Sequence, residues 1–226
     1  MEKINTLIGQ IQIFRALDEQ QRLQLARLGT KKRFEKGEFI AHYEEIWPHM
    51  LLVESGVIGV LKLSSEGRNL GALRLGSGDF FISPSFFDGG PLPASLEVKE
   101  SCRIYVWHRD QVLPIIKQNP EVLWGMCLLL VQRMRQASEF VEELAFQPVT
   151  GRLARLLLDQ FKESDDPHIA RQFTLDEMST RIGTTPVMVC KMLSRFAADG
   201  LIKVSRTEFE LLDRPNLEQI ADRRSV

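Results

Sequence analysis

The chain has 226 residues, 44% hydrophobic and 26% charged, with a formal net charge of -1. That is ordinary for a globular protein with one large domain or two modest ones, and it leaves no basic excess to mark a nucleic-acid binder, although only a docking face need be positive. Three scattered cysteines, Cys102, Cys127 and Cys190, argue against a disulfide framework and fit a reducing cytoplasm. The opening Met-Glu-Lys-Ile-Asn shows no basic region followed by an apolar run, so no signal peptide is expected. The longest apolar stretch, Val122 to Val131, is too short to cross a bilayer, and a cytoplasmic protein without membrane contact is expected.

Apolar residues at helical spacing from Leu17 to Leu28 predict a short amphipathic helix. From Lys32 the texture changes to short strands: Phe34, Phe39 and Ile40, then Met50 to Val53, with Gly56 breaking the run before Val57 to Leu61. Ser64 to Asn69 predicts a hairpin turn, and further strands flank Gly76-Ser77-Gly78-Asp79 and fill Ser95 to Trp107. Short strands spaced by Gly and Asp turns predict an antiparallel barrel or roll.

From Glu121 the period becomes helical. Leu123, Cys127, Leu130, Met134, Ala137, Val141 and Leu144 follow a 4,3,4,3,4,3 spacing, an apolar seam, with Gln132, Arg133, Arg135, Glu139, Glu142 and Glu143 on the other face. Such a seam either packs on its own domain or, as expected here, needs a partner, and a second copy of the chain is the simplest one. Pro148 ends or bends this helix, and Val149 to Lys162 predicts another, followed by a polar loop from Glu163 to Pro167.

Thr174 to Met178 starts a helix, with Glu177 three residues after the Thr174 cap. After Ile182, Gly183-Thr184 forms a tight turn, and Thr185 caps a second helix that has Pro186 in its first position. That helix, Pro186 to Ala197, buries Val189, Met192, Leu193 and Phe196 and shows Val187, Met188, Cys190, Lys191, Ser194 and Arg195. Asp199-Gly200 leads into two strands around Ser205-Arg206-Thr207, a wing. Two short helices joined at a glycine predict a helix-turn-helix whose second helix fits a major groove. Arg171, Arg181, Lys191, Arg195, Lys203 and Arg206 are candidate phosphate contacts.

In order and spacing, Phe34-Glu35-Lys36-Gly37-Glu38, Glu54-Ser55-Gly56, Gly76 to Phe80, Leu144-Ala145-Phe146, Val149 to Leu153 and Thr174 to Ile202 resemble the cyclic-AMP receptor protein/FNR superfamily over nearly the whole chain. The resemblance implies an α+β chain: a cupin-like double-stranded β-roll of the cyclic-nucleotide-binding kind over residues 1–118, a dimerisation helix and hinge over 119–147, and a winged helix-turn-helix over 148–226. It implies a homodimer that binds an inverted repeat of double-stranded DNA, contacts RNA polymerase and is not an enzyme. No HExxH, Gly-rich phosphate loop or GxSxG motif argues otherwise. The DNA-binding residues it marks are Thr174, Thr184, Thr185, Pro186, Val187, Met188, Cys190, Lys191 and Arg195.

Departures from the family pattern narrow the signal. Cyclic-nucleotide binders hold the ribose with a Glu and the phosphate with an Arg; those positions fall on Ser83 and on Leu92-Pro93, and the dimer-helix Thr that touches adenine falls on Ala137, with Ser138 retained. A buried phosphate without its Arg is an uncompensated charge, so cyclic AMP is not the expected effector. The FNR cysteine cluster is missing too, which leaves no ligand set for an iron-sulfur cluster. The effector region is then Phe80, Phe81, Ile82, Ser83, Leu92, Pro93, Ala94, Met134, Ala137 and Ser138, with Phe86 and Phe87 nearby. It is either a self-filled core or a pocket for an apolar small ligand. Nitric-oxide-responsive relatives bind haem in this region, and His49 and His108 are the candidate iron ligands. On the reading helix, the usual Glu-x-x-Ser-Arg is Val187-x-x-Cys190-Lys191, so half-sites unlike TGTGA or TTGAT are expected. Val187 and Met188 suit only apolar contact, as with a thymine methyl, and Cys190 is either a small residue or an oxidation-sensitive one. A signal in the roll is expected to alter packing along the Leu123–Leu144 seam and rotate a hinge near Phe146 to Thr150. The alternatives are a ligand-independent regulator active as folded, or an interaction module that does not bind DNA.

Overall fold

The computed structural model describes residues 2–63, 69–161 and 166–222. The chain divides into two compact units, Met1–Lys62 with Ala72–Arg135 and Leu63–Gly71 with Gln136–Val226. Within the first, α1 (Glu2–Gln10), a 3-10 turn (Gln12–Ala16) and α2 (Glu19–Leu28) precede the strands. Asp18 accepts a hydrogen bond from the Gln21 amide at 2.8 Å while Gln21 accepts one from the Asp18 amide at 3.2 Å. This reciprocal cap starts α2 after Leu17 rather than at it. Helix α1 was not expected: its nine residues are too few to give a clear period before the 3-10 turn interrupts them.

The strands are β1 (Thr30–Phe34), β2 (Phe39–Ala41), β3 (His49–Leu63), β4 (Asn69–Leu75), β5 (Phe80–Ile82) and β6 (Ser95–His108), with a short α3 (Pro84–Asp88) before β6. They hydrogen-bond in the order β1-β6-β3-β4, with β2 on β6 and β5 on β3. The expected break at Gly56 is a correction: β3 runs through it, with Gly56 at φ 90° and register shifts on either side. A Cβ there would stand 2.4 Å from the Ser101 carbonyl oxygen and 2.6 Å from the Cys102 Cα. Glycine is required by backbone crowding in a bulge, not by a chain reversal. Of the turn expected at Ser64 to Asn69, residues 64–68 lie outside the described residues and Asn69 opens β4; of the polar loop expected at Glu163 to Pro167, residues 163–165 lie outside them.

Both faces of β3 are buried. Met50 and Leu52 face a core with Phe14, Leu25, Phe86 and Trp107, while Leu51 and Val53 face a second core with Ile58, Leu75, Leu96, Val98 and Ile104. Successive side chains point to opposite faces of a strand, so an uninterrupted apolar run is what a doubly covered strand needs. Then come α4 (Arg109–Lys117) and α5 (Pro120–Phe146).

In the second unit, α6 (Val149–Phe161), α7 (Leu175–Ile182), α8 (Pro186–Ala198) and α9 (Arg214–Asp222) surround Leu153, Leu157, Phe161, Met178, Val189, Phe196, Phe209 and Leu217. The wing is a three-stranded sheet in the order β7 (His168–Ala170), β9 (Glu208–Leu211), β8 (Ile202–Val204). The sequence showed two of these strands; β7 is three residues long and too short to carry a period.

Candidate nucleic-acid interface and the sensor roll

The start of α7 forms as its sequence dictates. Thr174 Oγ1 accepts from the Glu177 amide at 3.2 Å and Glu177 accepts from the Thr174 amide at 2.8 Å. Gly183 closes the helix in the left-handed region at φ 64°. Thr185 then accepts from the Met188 amide at 3.3 Å, and Pro186 occupies the first turn of α8. Val189, Met192, Leu193 and Phe196 are buried. They anchor α8 from behind and leave Val187, Met188, Cys190, Lys191, Ser194 and Arg195 exposed. Thr185 is exposed too, while Thr184 and Pro186 are half-buried.

The candidate phosphate contacts divide. Lys191 and Arg206 are exposed. Lys203 is paired with Glu210 at 2.8 Å, and Arg195 stands 3.6 Å from Asp199 one turn on. Arg181 stacks on Phe173 at 4.0 Å, and Arg171 lies over Phe209 at 5.6 Å while its Nε donates to the Phe173 carbonyl. Four of the six expected cations are therefore engaged by side chains of the same unit, as a charge-by-charge reading of sequence does not reveal.

One residue passed over as a mere family match organises this unit. Arg152, 9% exposed, donates from Nε to the Ile182 carbonyl at 2.8 Å. From Nη1 it reaches the carbonyls of Gln147 at 2.8 Å and of Glu143 and Leu144 at 3.3 Å. The guanidinium thus joins the last turn of α5 to the last turn of α7, where carbonyls lack helical partners and the dipole favours a cation. Burial pushes its pKa down, opposed by the Glu143 carboxylate. Leu144, expected at the end of the apolar seam, is half-buried. Its Cδ2 lies 2.8 Å from where a Gly183 Cβ would be, so it packs beside the helix-turn-helix of its own chain.

Along α5 the remaining seam residues Leu123, Cys127, Leu130, Met134, Ala137 and Val141 are exposed. Trp124 at 62%, Leu128 at 51% and Val131 at 40% exposure widen the stripe. Val122 and Met126 turn the other way, into the core with Phe14 and Trp107.

The expected effector wall is not one wall. Phe80, Ile82 and Phe86 belong to the core beneath the N-terminal helices, whereas Phe81, Leu92 and Ala94 pack in the interior of the roll. The cause is strand alternation along β5, where Leu52↔Phe80, Leu51↔Phe81 and Met50↔Ile82 pair. Ser83 is fully buried. Its hydroxyl donates to the Trp47 carbonyl at 2.6 Å and accepts from the Phe86 amide at 3.2 Å, capping α3. Pro93, Met134, Ala137 and Ser138 are exposed.

His49 and His108 are cross-strand partners with ring centroids 4.9 Å apart, and Trp47 covers His49 at 4.8 Å. The buried His49 Nδ1 has no hydrogen-bond partner. Burial, then the neighbouring His108, lowers the His49 pKa to about 4. His108 Nδ1 accepts from the Asp110 amide at 3.3 Å. Elsewhere in the roll Glu54 is a buried carboxylate, its side chain 1% exposed, with Lys3 Nζ at 2.8 Å, Lys31 Nζ at 2.7 Å and Arg103 Nε at 3.2 Å. Burial alone would raise its pKa; hydrogen bonds from Lys3 and Lys31 override that and hold it at about 2. No group of three or more metal-ligating side chains occurs among the described residues, nor any helix long and apolar enough to cross a membrane.

An antiparallel roll, a long helix and a winged helix-turn-helix together define the architecture of a DNA-binding regulator. Residues 31–119 match the cyclic nucleotide-binding domain family and residues 151–220 the Crp-like helix-turn-helix domain family. The cyclic AMP receptor protein of Thermus thermophilus is 25% identical over 191 residues, covering 84% of this chain and 88% of that protein. Among solved structures, a Crp/Fnr-family transcriptional regulator from Eubacterium rectale aligns with a TM-score of 0.75 at 20% identity, over 93% of this chain and 98% of that one. The c-di-GMP responsive global regulator CLP of Xanthomonas campestris aligns with a TM-score of 0.76 at 19% identity, over 86% and 99%. The chain belongs to the Crp/Fnr family of DNA-binding transcription regulators and is not an enzyme.

Proposed function

We propose that the protein works as a homodimer on an inverted DNA repeat, with α5 as the dimer seam and the roll sensing a signal other than cyclic AMP. The observation that carries the reading is the bare stripe on α5. Trp124, Leu128, Leu130, Met134 and Val141 are each more than 40% exposed, although Val122 and Met126 on the same helix are buried. A contiguous apolar strip of this kind marks an association surface, and a second copy of the same helix meets it by two-fold symmetry. Two recognition helices then lie about one helical turn of DNA apart, where they can place RNA polymerase at a promoter. Sedimentation tests this directly: Leu130→Asp is expected to give monomers whose affinity for an inverted-repeat duplex falls at least a hundredfold. A dimeric variant with unchanged affinity defeats the proposal.

The signal is read from the cassette. Ser83 spends its hydroxyl on Trp47 and on the Phe86 amide. Leu92 is buried in the interior of the roll, and Pro93 carries no charge to meet a phosphate. A desolvated phosphate there would lack its cation. The names of this chain's relatives point to more than one nucleotide signal, so the fold alone does not choose. Calorimetry with cyclic AMP is expected to show no saturable binding at micromolar concentration. A second reading, an imidazole-ligated group such as haem, has one observation in its favour, the unpartnered Nδ1 of His49. His49 or His108 would hold the iron, and the group would supply gas binding. A stoichiometric Soret band lost in His49→Ala supports it, and no band on anaerobic haem titration removes it.

A further inference from the structure

The first turn of α8 carries Val187 at 79% exposure, the highest among the large exposed hydrophobics of the described residues, and Met188 at 43%. The sequence favours neither choice for solvent: valine is a weak helix former, and a bare apolar pair beside a turn invites aggregation. Both are held in place from behind, since Val189, Met192 and Leu193 bury the opposite face. The groups beside them on the leading turn are committed in part: Thr185 Oγ1 accepts from the Met188 amide, Pro186 has no amide hydrogen to give, and the Arg195 Nε stands 3.6 Å from Asp199. Lys191, three residues after Met188, is an exposed cation on the same face.

In a major groove the leading turn of the recognition helix meets base edges. The apolar group offered there by the standard bases is the C5-methyl of thymine. We propose that Val187 and Met188 read thymine methyl groups, so that half-site choice in this protein depends on pyrimidine C5-methyls rather than on hydrogen bonds from the leading turn. Lys191 adds a single charged contact, to a guanine edge or to a phosphate. This rests on the DNA-binding role of the chain and is independent of the dimer and of the signal. It predicts that 5-methylcytosine substitutes for thymine as a contact where cytosine does not.

The test begins by selecting preferred duplexes from a random-sequence library with the full-length protein. The recovered site is then remade with uracil in place of each thymine in turn, which deletes one methyl and keeps the pairing. Affinity is expected to fall about three- to fivefold at each contacted methyl, the effect of one methyl-sized apolar group, at one or two positions per half-site. Val187→Ala and Met188→Ala lie on the surface and leave the fold intact. Each is expected to bind its thymine and uracil sites equally, which ties the methyl to the side chain. Uracil tolerated at every position with full affinity overturns the inference. A protein that retains no duplex at any sequence overturns instead the DNA-binding role beneath it, so the two failures are distinct.

Discussion

In the roll, apolar residues are consumed on both faces of the sheet: Met50 and Leu52 serve one core, Leu51 and Val53 the other. In the winged helix-turn-helix a single core takes one face of each helix and leaves Val187 and Met188 in the open. The roll is closed around its own side chains, and the reading head is closed on one side only. A unit with two interiors tolerates change poorly because each strand position has a fixed neighbour. A unit with one interior keeps a face free for a partner.

Two glycines measure that difference most sharply. Gly56→Ala would drive a Cβ to 2.4 Å from backbone at Ser101, with φ near 90° adding strain. Backbone cannot swing aside, so a loss of roughly 3–5 kcal/mol is expected in denaturant melts. Gly183→Ala meets the tip of Leu144 at 2.8 Å, in a left-handed turn at φ 64°. A leucine tip can rotate, so about 1–2 kcal/mol is expected, chiefly from the left-handed backbone. Equal losses at the two sites would break the contrast.

Arg152 falls between the two glycines in size. Replacing it with Leu leaves the carbonyls of Gln147 and Ile182, each bonded at 2.8 Å, without their charged donor. About 2–3 kcal/mol should be lost from the second unit. Because the guanidinium spans α5 and α7, DNA affinity should fall as well, while Arg152→Lys, which keeps the charge but loses the planar fork, recovers only part of it. Unchanged affinity in a destabilised Arg152→Leu protein would make the residue a packing element alone.

Legibility followed the range of the forces. The capping box at Thr174, the Gly183 turn and the Thr185-Pro186 start are fixed by residues within three or four positions, and the sequence displays them. The exposed apolar stripe on α5 is legible for the same reason, as a helical period, up to Val141. Strand partners, in contrast, come from far along the chain. That Phe80 and Phe81 face different cores follows from pairing with Leu52 and Leu51, and nothing local in the run Phe80 to Ile82 announces it. Arg152 was visible as a match and not as a clamp, because its acceptors, from Glu143 to Ile182, converge only after α5, α6 and α7 have packed. Lys203 looked like a free cation until β8 and β9 placed Glu210 beside it.

The smallest expected effects separate by pH, and both belong to the roll. His49 is held at about pKa 4 in the folded chain, below its ordinary value near 6.5. The unfolded state therefore takes up the proton first, and stability declines as pH falls from about 6.5 toward 4. Glu54, held near 2 by its lysines, has the usual carboxylate behaviour: its contribution is complete above about 4.5 and is lost as pH falls through about 2. Its three cations are 65%, 50% and 54% exposed and rehydrate when the carboxylate is removed. Glu54→Gln should therefore cost only about 1–2 kcal/mol at neutral pH, less than the roughly 3–5 kcal/mol for breaking a pair buried on both sides. Two acid steps are expected in stability measured against pH: the upper one absent in His49→Gln, the lower one absent in Glu54→Gln. A single step removed by neither substitution would mean that the acid response comes from outside the roll.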